Sequence, residues 1–191
     1  MRPPDLIALI GRWLRRALAG RTTLGPRAPL PWLVEAERLR GVREIPGPES
    51  SPEIMAWAAA QSPRVRSVYK GDDVPWCGLF VAHCIGKAGF VLPINSLSAL
   101  AWADWGEPLG RPMHGAVAVF KRPGGGHVGF VVGESTKGDL RILGGNQDDQ
   151  VSIAWFPRDR LVAVRWPKGD GASPYAPLLR ERDGAFPVKQ A

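Results

Sequence analysis

Cysteine is scarce in this 191-residue sequence: there are two. That is too few for a disulfide framework. If Cys77 and Cys84 share a helix, seven residues of rise hold them about 10 Å apart. Bridged Cα atoms lie within about 7 Å, so the two are not expected to pair with each other. No apolar run reaches the roughly 20 residues that a bilayer span needs. Acidic residues are outnumbered, 18 to 25, and the imbalance is local. Residues 1–29 hold six arginines and one acid, whereas residues 30–167 hold fifteen basic and fourteen acidic residues. A basic arm is thus attached to a nearly neutral body. An anionic surface is a partner for the arm, and no nucleic acid is expected as a partner for the body.

Apolar content is 45%, enough for a sizeable core in one domain with extensions. In the arm, Leu6, Ile7, Leu9, Ile10, Trp13, Leu14, Ala17 and Leu18 recur at helical spacing, with Arg12, Arg15 and Arg16 on the other side. This pattern predicts a short basic amphipathic helix. Its stripe either lies on a membrane surface or docks on the body or a partner. Asp5 and the interrupting arginines do not suit a signal peptide. Arg21 to Pro31 reads as a linker.

Helical spacing returns at Trp32 to Leu39, closed by Gly41. Pro52 suits the first turn of a second helix through Ile54, Met55, Trp57 and Ala58. Residues between that helix and Pro75 read as a loop, and residues 77–88 read as a third helix. Ser96 to Trp105 is mixed and partly helical. Beyond Pro112 the pattern changes to short strand-like runs at Ala116–Phe120, His127–Val132, Leu140–Leu143, Val151–Phe156 and Leu161–Trp166, separated by turn residues. Helices followed by a strand meander predict an α+β domain over residues 31–167, with helices packed on one antiparallel sheet. Residues 1–30 form the arm and linker, and 168–191 read as a polar tail.

The chain is organised around Pro75-Trp76-Cys77-Gly78-Leu79-Phe80. Cys77 falls at the start of the third helix, where unpaired N–H groups and the positive dipole end favour a thiolate. A buried, inert thiol is the competing reading. Three glycines deliver His127 to the start of a strand, and Gly144-Gly145-Asn146 ends the next one. In an antiparallel pair the start of one strand lies beside the end of its neighbour, so His127 and Asn146 are expected to be adjacent. A cysteine at a helix start, a histidine and an asparagine form a set suited to thiol nucleophilic catalysis. His83 points away from Cys77 on its helix. His114, in a turn, competes weakly for the third position. Asp72 and Asp73 are expected to cap the cysteine helix. Trp102 reads as a groove or core residue, and Gln147 as a substrate or oxyanion contact or an exposed strand end.

The blocks Pro75-Trp76-Cys77, Gly126-His127-Val128-Gly129-Phe130 and Gly144-Gly145-Asn146-Gln147 resemble those of papain-like cell-wall hydrolases, the NlpC-like and CHAP-like cysteine peptidases. The likeness also takes in Gly41 to Gly47 and Trp105-Gly106-Glu107-Pro108. More narrowly, it resembles a small group often found in phage and prophage proteins. The resemblance implies an amidase or endopeptidase acting on peptidoglycan, with Cys77 as nucleophile, His127 as base and Asn146 as the orienting residue. Trp76, Gln147 and Trp102 are the candidate substrate contacts, and no cofactor or metal is expected. The unsuitability of the N-terminal stretch as a signal peptide fits release to the envelope by a phage lysis system, carriage in a particle, or a cytoplasmic protein of unknown substrate. Acyl transfer, deamidation or a non-enzymatic wall-binding role on the same fold are the alternatives.

Overall fold

The computed structural model describes residues 29–169, together with Leu178 and the backbone of residues 180–181. The expected arm helix, and most of the expected tail, lie outside the described residues. Among the described residues four α-helices precede the sheet: α1 (Pro31–Arg38), α2 (Pro52–Ala59), α3 (Pro63–Val68) and α4 (Cys77–Lys87). Proline at the first turn opens α1, α2 and α3, where its missing N–H costs nothing and its fixed φ already suits the helix. The short α3 falls in a stretch read from sequence as loop. Ser62 caps it by accepting from the Val65 N–H at 3.4 Å, and only Val65 is buried. With a single buried position it offers no apolar periodicity to detect.

A 3-10 segment (Ala99–Asp104) leads into the strands β1 (Glu107–Pro108), β2 (Val117–Arg122), β3 (Gly125–Ser135), β4 (Leu140–Gly144), β5 (Ser152–Phe156) and β6 (Leu161–Trp166). They form one antiparallel sheet in the order β1-β6-β2-β3-β4-β5. A two-residue strand, β7 (Arg180–Glu181), pairs in parallel with Glu134 and Ser135 of β3. The fold is therefore α+β, with helices packed on an antiparallel sheet.

The central strands are buried on both faces, which is why Ala116-Val117-Ala118-Val119-Phe120 is apolar without alternation. Helix α4 lies over β3, with the Phe80 and Phe130 rings 6.1 Å apart. Trp57 of α2 closes over the same place, 5.9 Å from Trp76 and 6.0 Å from Phe80. Gly78 permits a close approach at the first turn of α4. A Cβ there would lie 2.4 Å from the Leu97 carbonyl oxygen and 2.6 Å from that of Ser96. The segment leading to the 3-10 turn is thereby packed directly against the helix start.

Candidate active site

Cys77 is the first residue of α4, and the first intrahelical hydrogen bond runs from Phe80 N–H to Trp76 O at 2.9 Å. The N–H groups of Cys77 and Gly78 are left to face the sulfur. Both, together with the Val128 N–H from β3, pull the thiol pKa down. Burial outweighs them, since Cys77 is 3% exposed, and the thiol is pushed above its ordinary value. The helix start therefore does not produce a resting thiolate, contrary to the expectation from sequence. The thiol rests protonated and needs a base. Its hydrogen bond from Val128 places it one residue along β3 from His127.

His127 is buried and stacks on Phe156, with ring centroids 4.6 Å apart and planes 12° from parallel. Its Nε2–H donates to Gln147 Oε1 at 3.1 Å. The Gln147 amide is oriented by its other end, where Nε2 donates to Ser152 O at 2.7 Å and to Ser152 Oγ at 3.2 Å. The amide oxygen must then face the imidazole, and an oxygen can only accept. The imidazole proton is thus fixed on Nε2, which leaves Nδ1 as a bare lone pair. Nδ1 is buried and has no hydrogen-bond partner among the described residues. Burial lowers the His127 pKa to about 4, with Gln147 opposing the shift and the Arg122 charge adding to it. At neutral pH the ring is uncharged and able to take a proton.

Asn146 does not reach the imidazole. Its Nδ2 donates to Glu44 Oε1 at 2.5 Å, and its backbone is left-handed at φ 57°. The residue that orients His127 is Gln147, one position further on. A missing side chain makes this possible: a Cβ on Gly144 would lie 3.1 Å from His127 Nε2 and 2.6 Å from Gln147 Oε1. The Gln147 amide occupies the space that the strand leaves open.

Trp76 and Trp102 are fully buried, and so is Gln147. The Trp76 Nε1–H donates to Glu44 Oε1 at 2.6 Å and the Trp102 Nε1–H to Ser96 O at 3.0 Å. Neither indole presents a face to a groove, and both serve as packing anchors. Asp72 does not cap α4, whose N-cap Trp76 has no side-chain cap. Asp72 Oδ2 instead accepts from the Ile45 and Ser51 N–H groups, at 3.1 and 2.7 Å, and ties down the loop before α2. Cys84 is fully buried. His83 lies 3.1 Å from Glu35 Oε1 and stacks on Trp57, a structural setting. His114 sits in the turn before β2, whose Gly115 N–H donates to Val131 O, four residues along β3 from His127. Phe156 beneath the imidazole and the Arg122 charge felt by both Cys77 and His127 were not singled out from sequence.

Residues 69–146 match the family model described as CHAP domain. Over this segment the chain is similar to CHAP domains, which supports a place in the CHAP-like superfamily. That segment holds Cys77, His127 and Asn146 and stops one residue short of Gln147. CHAP domains act on peptidoglycan as cysteine amidases or peptidases, so the general class of cell-wall hydrolase follows. No curated protein and no solved structure gives a significant match to the chain.

Proposed function

We propose that the protein hydrolyses an amide bond of peptidoglycan, in a stem peptide or cross-bridge, with Cys77 as nucleophile and His127 as general base. The observation that carries this reading is the orphan His127 Nδ1, buried with its tautomer set by Gln147. An imidazole held so that one bare nitrogen stays uncommitted is suited to receiving the thiol proton. As that proton moves to Nδ1, the sulfur attacks the scissile carbonyl. The resulting oxyanion is met by the Cys77 N–H at the start of α4. The imidazolium then returns its proton to the leaving amine, and the acyl-enzyme remains. Water deprotonated by His127 attacks that thioester, and the thiol is restored. Gln147 takes the orienting role that the resemblance gave to Asn146. The motif blocks point to a phage or prophage setting, in which the enzyme is released to the wall at lysis.

The test is mass spectrometry of purified muropeptides after digestion. The parent yields products cleaved at one amide, and Cys77→Ala and His127→Ala yield none. Full turnover by Cys77→Ala ends the mechanism. Retained binding to sacculi without turnover by the parent would assign a wall-binding role, and products carrying an added amine would assign acyl transfer.

A further inference from the structure

Glu44 lies in the loop between α1 and α2, outside the matched segment 69–146. The loop is pinned to the turn after β4. The Gly41 N–H donates to Val151 O at 2.9 Å, the Val151 N–H to Val42 O at 2.7 Å, and the Glu44 N–H to Asp149 O at 3.0 Å. Arg43 adds a bond from Nη2 to Gln150 Oε1 at 2.6 Å. From this position a single carboxylate oxygen, Glu44 Oε1, accepts from both Trp76 Nε1 and Asn146 Nδ2. Each donor directly precedes a residue of the proposed machinery: Trp76 precedes Cys77, and Asn146 precedes Gln147. Asn146 also has a left-handed backbone at φ 57°, a conformation that asparagine accepts at turns.

We infer that Glu44 is a positioning residue that locks the nucleophile's helix start and the turn carrying Gln147 into one unit. The inference rests on the mechanism proposed above. Two short bonds to one charged oxygen are stronger and more directional than neutral ones. They tie together two segments that are distant in sequence and that must hold the thiol and the imidazole in register. Burial raises the Glu44 carboxyl, and the Trp76 bond opposes it, so the two indole and amide donors also help keep the group ionised.

The test compares Glu44→Ala, Glu44→Gln and Trp76→Phe in the full chain carrying Cys84→Ser, so that iodoacetamide reports Cys77 alone. Glu44→Ala is expected to lower kcat by about 10- to 100-fold, the usual range for a residue acting through another. KM is expected to stay within about twofold, because the role assigned to Glu44 is to hold the machinery and not the substrate. The alkylation rate of Cys77 falls with kcat. Glu44→Gln keeps an acceptor oxygen in place and restores most of both. Trp76→Phe, which removes one donor and keeps an aromatic side chain, gives an intermediate loss and carries the test if the alanine variant does not fold. Parent values of kcat and alkylation rate in Glu44→Ala, or in Trp76→Phe where that variant carries the test, overturn the inference. So does a Glu44→Gln variant no better than Glu44→Ala. Cys77→Ala is the control: activity retained there overturns the underlying mechanism, whereas activity lost there but kept in Glu44→Ala overturns only the role of Glu44.

Discussion

A methyl group at residue 144 tests the His127–Gln147 bond from the outside. In Gly144→Ala the new Cβ lies 2.6 Å from Gln147 Oε1, 3.2 Å from its Cδ and 3.1 Å from His127 Nε2. Ordinary contact begins near 3.4 Å, so the oxygen must retreat by about 0.8 Å. The bond starts at 3.1 Å, at the long end of the useful range. The amide has little freedom to retreat, because its nitrogen is held by Ser152 O at 2.7 Å and approaches Ile142 O at 3.4 Å. Either the imidazole loses its acceptor or the amide loses its anchor. A buried donor left unpaired costs about 1–3 kcal/mol, and overpacking costs a similar amount. The larger effect falls on rate. With Nε2–H unheld, the ring can turn or change tautomer, and a displacement of about 1 Å at the reacting groups costs on the order of 100-fold. Turnover of a soluble muropeptide and the melting temperature should be measured on Gly144→Ala beside Gly110→Ala, where an added Cβ meets nothing within 4 Å. Gly110→Ala is expected to match the parent in both. Turnover of Gly144→Ala within twofold of the parent, despite a lowered melting temperature, would refute the argument that this bond sets the rate.

Three further outcomes follow from the same structure. The base works only when neutral, and burial holds His127 at about 4, so the acid limb of kcat/KM is expected near pH 4; a midpoint near the ordinary 6.5 in a pH–rate profile would contradict this. Glu35 is held at about 2, first by its hydrogen bond from Arg38 and then, against burial, by Lys87 and His83. A depressed carboxyl stabilises the fold above its unfolded value of about 4.5 and loses that contribution as pH falls from there toward 2. Glu35→Gln is therefore expected to cost about 2 kcal/mol at pH 7, after allowing for the solvent around Arg38 and Lys87, and roughly nothing at pH 2; parallel thermal melts check it. Deleting residues 1–29 is expected to leave turnover of soluble muropeptides nearly unchanged and to weaken a salt-sensitive attachment to anionic vesicles, since exposed charges are screened within about 8 Å at physiological ionic strength. A loss of melting temperature without a loss of vesicle binding would instead place the apolar stripe on the body.

The helix–sheet division was legible because its signals are periodic. Apolar residues three and four apart marked α1, α2 and α4, and uninterrupted apolar runs marked the central strands. Of the candidate site, the places of Cys77 at a helix start and His127 near a strand start were legible, because both are fixed by element ends. The orienting residue was missed by one position for a physical reason. Strand alternation predicts side-chain direction only while the chain stays in the sheet, and β4 ends at Gly144. Asn146, Asp148 and Asp149 all have positive φ, so the period of two stops where the count was being made. Phe156 and Glu44 reach the site through β5 and an N-terminal loop, contacts with no local signature. The thiolate expectation failed because a dipole argument carries no information about burial, and burial is the larger influence on Cys77.

The protonated resting state of Cys77 has a consequence for oxidative damage. Peroxide attacks thiolates, and sulfenic acid forms where thiolate character and solvent access coincide. Cys77 has neither at rest, being buried and held above its ordinary pKa. Cys84 is buried two turns along the same helix, too far away to act as a resolving partner. Burial thus keeps the Cys77 thiol away from oxidants as well as raising its pKa, and both disfavour sulfenic acid there.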